Sequence, residues 1–169
     1  MKSAALALAL FAAAGAAQAQ AQEPLHVWSV ETPKDAEAAL RFGLPDTDDQ
    51  PIAFTCVRGS GQVKVSADIG KRLGVERVGE TWVDKSGVRA PWPMSVALAS
   101  EGASLNLRGL GHPNDITDGT LVLTEFSTRA PLAAAFRKTG VISLTAAGES
   151  VKPPPAPKGA VRKFLGACK

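Results

Sequence analysis

The sequence predicts an α+β fold, predominantly β. It should contain about eight short, mainly antiparallel strands in a meander or sandwich and two short helices, the last one tethered by a disulfide. Three observations predict it. Short apolar runs, many of them alternating with polar residues, recur through the chain between turn signals rich in Gly, Pro, Asp and Ser. Helical signals are confined to 131–138 and 159–168, apart from one short turn. The chain carries only two cysteines, Cys56 and Cys168, behind a segment that reads as an export signal. In an oxidising compartment an even count of two most simply means one bond.

The export signal occupies residues 1–19. Lys2 gives a short positive start, Ala4 to Ala14 an apolar core, and Ala17-Gln18-Ala19 a small-x-small cleavage pattern. Ala19-Gln20-Ala21 offers a second frame, so cleavage is expected after Ala19 or Ala21. An uncleaved anchor is the alternative, but the run falls short of the about 20 apolar residues that span a bilayer. No Cys follows the apolar core, which argues against a lipid anchor. No later segment is long and apolar enough to cross a membrane. The mature chain, 20–169, is expected to be one periplasmic β-rich domain.

Leu25 to Val30 alternates as a strand, with His26, Trp28 and Val30 on one side. Ala38 to Leu44 and Ile52 to Arg58 flank the acidic turn 45–51 as a hairpin. Gly59-Ser60-Gly61 reverses the chain into Gln62 to Ala67, where Val63 and Val65 oppose Lys64 and Ser66. Ile69 to Leu73 reads as a single helical turn, and Val75 to Val83 as a strand interrupted by Gly79. Asp84-Lys85-Ser86-Gly87 is a turn. Pro91 and Pro93 place Trp92 in extended or edge backbone, because proline cannot donate to a ladder. Met94 to Ala99 and Ser104 to Leu110 form another hairpin. Gly111 to Gly119 reads as a loop and Thr120 to Phe126 as a strand.

Pro131 to Lys138 is a helix: proline suits its first turn, three alanines its middle, Arg137 and Lys138 its negative end, and Gly140 its stop. Val141 to Thr145 is a strand. The proline-rich stretch 151–158 is an extended connector. In the final helix Val161, Phe164, Leu165 and Cys168 fall at i, i+3, i+4 and i+7, a single apolar face that carries Cys168 inward toward the Cys56 strand.

Composition narrows function mainly by exclusion. Aromatics make up 5% of residues and tyrosine is absent, which argues against nucleic acid and against a carbohydrate groove. Trp28, Trp82 and Trp92 are expected to pack in the core or against strands. The net charge of +3 conceals an asymmetry: seven acids against two bases over 20–50, and one acid against eight bases over 127–169. A basic end of this kind attracts an anionic lipid, polymer or acidic partner. The plainer reading is that the two ends lie close in the fold and partly neutralise each other.

A hydrolytic site needs a nucleophile, a base and an orienting acid. His26 and His112 are the two imidazoles. His26 lies in the first strand. His112 sits in the glycine-flanked run 109–115 with Asp115 three residues on, a spacing that would place a base beside an acid, but that equally suits a strand connector with a polar tip. There is no Gly-x-Ser-x-Gly elbow. The histidines and cysteines lack metal-ligand spacing. Asp46, Asp48 and Asp49 resemble half a calcium loop without its central glycine and terminal glutamate, and a solvated turn is the simpler reading. No catalytic residue, cofactor or metal is therefore expected. The candidate binding surfaces are loops: 109–115, with His112, Asn114 and Asp115, and 45–51.

Trp28-Ser29, Phe54-Thr55-Cys56 and Phe164-Leu165-Gly166-Ala167-Cys168 resemble, in residues and layout, the small periplasmic accessory proteins associated with type VI secretion. The resemblance spans most of the mature chain. It departs from that family's pattern in that no basic residue directly precedes Cys56 and no aromatic follows Cys168. It implies a non-catalytic periplasmic module whose partner is another envelope protein. Two other readings follow from the residues: an inhibitor of a cell-wall lytic enzyme, and a small hydrolase using His112 and Asp115.

Overall fold

A computed structural model describes residues 25–169; the expected export signal, 1–19, lies outside the described residues. Eleven strands and two helices follow one another as β1 (Val27–Glu31), β2 (Ala38–Gly43), β3 (Ile52–Cys56), β4 (Gln62–Asp68), β5 (Gly74–Val78), β6 (Thr81–Asp84), β7 (Trp92–Ser100), β8 (Ala103–Asn114), β9 (Gly119–Ser127), α1 (Pro131–Thr139), β10 (Ser143–Ala146), β11 (Glu149–Val151) and α2 (Lys158–Ala167). Nine strands form one antiparallel sheet in the order β1-β2-β3-β4-β9-β8-β7-β10-β11, and β5-β6 stand apart as a two-stranded hairpin.

The alternation seen in the sequence decides which face of the sheet is dry. Trp28, Leu40, Phe54, Val65, Val122 and Leu98 point to one side, where α1 packs on β7 and β8 and α2 on β1 and β2. The sheet curls around the helices, and its ends are drawn together by the proline connector. The Trp28 indole N–H of edge strand β1 donates to the Pro154 carbonyl, just beyond β11 at the other edge, at 2.8 Å. Gly140 ends α1 with φ of 76° and lies against the Ala156 carbonyl where a side chain would sit, so only glycine fits that close approach.

The final helix is fastened three ways. Val161, Phe164, Leu165 and Cys168 are fully buried, as their spacing requires. Cys168 is bonded to Cys56 across 112 residues of chain, with the two Cα atoms 5.6 Å apart. The turn after β3 caps the helix end, because the Gly59 N–H donates to the Ala167 carbonyl and the Gly61 N–H to the Cys168 carbonyl. Carbonyls that a helix C-terminus normally leaves without partners are thereby satisfied.

Five expectations need correction. Residues 69–73 form no helical turn. Their backbone is held along β9 instead, Ile69 N–H donating to the Thr120 carbonyl and the Thr120 hydroxyl to the Lys71 carbonyl. Gly79 does not interrupt one strand but turns β5 into β6. Residues 111–114 are not loop: β8 runs on to Asn114, paired through Gly111 with β7 and through Asn114 with β9. The hairpin partner β11 was not anticipated, and the described residues hold eleven strands where about eight were expected, within the expected predominantly β α+β fold with two short helices and a disulfide-tethered tail. Finally, the acidic and basic ends do lie close, α2 packing on β1 and β2, but none of the four ion pairs among the described residues joins the 20–50 stretch to the 127–169 stretch. Pro93 meets the edge expectation, since β10 pairs only with Val96 to Ala99 and leaves the start of β7 uncovered on that side.

Candidate functional site

The residues expected on loops gather at one end of the sheet, where the short turn between β8 and β9 meets the 44–51 connection. This turn is braced from three directions. The Asp68 carboxylate at the end of β4 accepts from the Asn114 amide at 3.0 Å, from the Thr117 hydroxyl, and from the Gly70 N–H at 2.8 Å. Asp115 Oδ1 accepts the Trp82 indole N–H of β6 at 3.2 Å. Arg72 lies 4.4 Å over the Trp82 ring and pairs with Asp118 at 2.7 Å. Asn114 Oδ1 also accepts the Ile116 N–H at 3.2 Å, so Ile116, 79% exposed, is presented from a tied-down turn. Asn114 and Asp115 thus act as braces.

His112 is set apart from that network. It lies in β8 opposite Leu121, partly exposed on the outer face, and its side chain has no hydrogen bond or ion pair among the described residues. Asp115 is engaged by Trp82 instead of the imidazole, so the base–acid contact that hydrolysis requires is not made. His26 stacks on Phe42 at 5.6 Å, with Nε2 3.1 Å from Asp49 Oδ2 but without hydrogen-bond alignment. No group of three or more His, Cys, Asp or Glu placed to hold a metal occurs among the described residues. The 44–51 connection closes on itself instead, Leu44 N–H donating to the Asp49 carbonyl at 2.9 Å and the Thr47 hydroxyl to the Leu44 carbonyl at 3.1 Å.

Two grooves open on this side of the molecule. One, about 920 Å³, lies between the two connections and is lined by Asp48, Pro51, Pro113, Ile116 and Leu121 among others. The second, about 530 Å³, lies on the outer face of the sheet. Strand register explains how they relate. Leu123, Leu110 and Pro93 form one row across β9, β8 and β7, and Leu121 sits two residues along β9 toward the braced turn. Apolar side chains therefore continue from one groove to the other, with Leu110 42% and Leu123 37% exposed. Lys64, Arg108 and Glu125 border the second groove, and Asp48, Asp49 and Asp115 line the first.

The apolar outer face of β8 and β9 was not anticipated from the sequence. A usable signal was present: Leu121 and Leu123 occupy the polar-side positions of a strand whose other side, Val122 and Phe126, is already apolar. No described helix is long and apolar enough to cross a membrane. No protein-family model matches the chain, and comparisons with characterised proteins and with solved structures returned no significant match.

Proposed function

We propose that the protein is a non-catalytic binding module of the periplasm, exported by its signal peptide, that docks another envelope protein on the outer face of β4, β9 and β8 and on the β8–β9 turn. One observation carries the reading: an apolar strip, with Leu110 and Leu123 exposed and Leu121 half-buried, runs between two grooves and ends at a turn whose side chains are already fixed. Exposed contiguous apolar surface of this kind marks interaction sites. A braced turn loses little conformational entropy on binding. The carboxylates around the first groove favour a partner that surrounds an apolar anchor with basic residues. The accessory role implied by the type VI secretion resemblance is one form of this function.

The test is capture from periplasmic extract, followed by reconstitution with the purified partner. Ile116→Asp and Leu123→Ser both alter exposed side chains and should leave the melting temperature close to that of the parent. Each should weaken the reconstituted complex at least about tenfold, as for a hot-spot residue. Binding unchanged by both substitutions would dismiss this face.

Ile116 on its rigid turn also favours a second reading, inhibition of a cell-wall lytic enzyme by insertion of the turn into the enzyme's cleft. A lysozyme turnover assay decides it: inhibition by the parent but not by Ile116→Asp supports insertion, and full lysozyme activity in its presence rejects it.

A further inference from the structure

The opposite end of the sheet carries a different chemistry. The turn between β3 and β4, the exit of β9, the first turn of α1 and the last residue of the chain enclose a cavity of about 750 Å³. Its wall includes the cations Arg129, Arg137 and Lys169 and the hydroxyls of Ser60, Ser127 and Thr128, and no acidic side chain. None of these cations takes part in an ion pair among the described residues. Arg137 Nε is shielded from solvent and has no hydrogen-bond acceptor. A buried guanidinium N–H without an acceptor is costly, and structures normally satisfy it. The first turn of α1 has neither an acidic residue nor a side-chain cap, so the positive end of the helix adds to the same potential.

We infer that this cavity binds a phosphoryl group. Two guanidinium groups match the oxygens of a phosphate with paired, charge-assisted hydrogen bonds, which a lysine alone would not do. Arg137, half-buried on the wall, would meet a phosphoryl oxygen with its terminal guanidinium nitrogens, its shielded Nε staying behind them, and the exposed Arg129 would close on the remaining oxygens. The Ser127 and Thr128 hydroxyls add neutral donors, while that of Ser60 already donates to the Gln62 carbonyl. The site is independent of the proposed docking face, since it lies at the far end of strands β4 and β9.

The phosphoryl group can arrive as free phosphate or as a lipid headgroup, and two measurements separate these sources. In the first, the mature protein is titrated with inorganic phosphate at low ionic strength, against chloride as control, while backbone amide resonances are followed. Saturable shifts confined to residues 59–61 and 127–134 are expected with phosphate and not with chloride. In the second, the protein is sedimented with phosphatidylglycerol vesicles, against phosphatidylcholine vesicles. A headgroup ligand is expected to carry it down only with the former.

In whichever arm binding is seen, Arg129→Gln and Arg137→Gln should each weaken it at least about tenfold, the effect of losing a charge-assisted contact. Lys152→Gln, outside the cavity, should leave it unchanged. Arg129 is exposed, so Arg129→Gln remains decisive even if Arg137→Gln fails to fold. The inference is overturned if neither phosphate nor phosphatidylglycerol binds, or if binding survives Arg129→Gln at full strength.

Discussion

The double variant Cys56→Ala/Cys168→Ala should lose about 4 to 5 kcal/mol of stability. Closing 112 residues into a loop removes that much entropy from the unfolded chain in the loop-closure model. A domain of this size is stable by only roughly 5 to 15 kcal/mol. Its melting temperature should fall by on the order of 10 to 20 °C. Adding reductant to the parent should reproduce the shift, since the crosslink is the only thing reductant removes. Local effects should concentrate at the tail. The caps from Gly59 and Gly61 and the packing of Phe164 and Leu165 remain, but a ten-residue helix is unstable on its own. Protease should therefore cut within α2 before any strand is cut. A double variant melting within about 2 °C of the parent would show that packing alone holds the helix.

Replacing Phe54 by alanine should cost about 3 to 5 kcal/mol through a different mechanism, a cavity in the folded state. Phe54 is fully buried in β3 between Leu40 of β2 and Val65 of β4. Its ring centroid lies 5.4 Å from that of Phe136 on α1 and 6.4 Å from that of Trp28 on β1. It is thus the point where the inner face of the sheet meets the first helix. Urea denaturation should show a lower midpoint in oxidised and reduced protein alike, which separates this effect from that of the crosslink. Phe54 and Phe136 are in contact, so Phe54→Ala and Phe136→Ala should couple by about 0.5 to 3 kcal/mol in a double-mutant cycle. A loss below about 1 kcal/mol for Phe54→Ala would mean that the core closes over the gap and that this contact is not central.

Where the sequence was legible, one local rule agreed with the tertiary fold. Val63 and Val65 alternate with Lys64 and Ser66, and β4 has one buried and one open face. Val161, Phe164, Leu165 and Cys168 repeat at helical spacing, and α2 buries that stripe. It was illegible where two rules conflicted. Gly109, Gly111 and Pro113 look like turn residues, yet β8 passes through them because ladders on both sides hold it. Gly109 is there for space: a Cβ would lie 2.7 Å from the Leu123 carbonyl oxygen and 2.6 Å from a Val96 methyl. Glycine can mark crowding as readily as a turn. Residues 69–73 failed as a helix for a related reason, since β9 offers their backbone partners that a single helical turn could not equal.

The candidate site divides in the same way. That 45–51 and the end of 109–115 would carry connections was legible, because both hold polar turn chemistry. That they would meet was not, since it depends on β4 running between β3 and β9, a long-range pairing with no local trace. The roles of Asn114 and Asp115 changed accordingly, from surface residues to braces that leave Ile116 on display. The charge asymmetry was also legible, but its resolution was not. The basic residues after Ser127 find no acidic partner within the described fold, and three of those cations face one cavity.

In the proposed periplasmic protein, oxidation of Cys56 with Cys168 is what fastens the tail to the sheet. Intact-mass measurement on protein recovered from the periplasm, alkylated without reductant, tests this in one spectrum. The expected species begins at Gln20 or Gln22, lacks the two thiol hydrogens and takes up no alkylating agent. A chain that still begins at Met1, or one labelled at both Cys56 and Cys168, would contradict it.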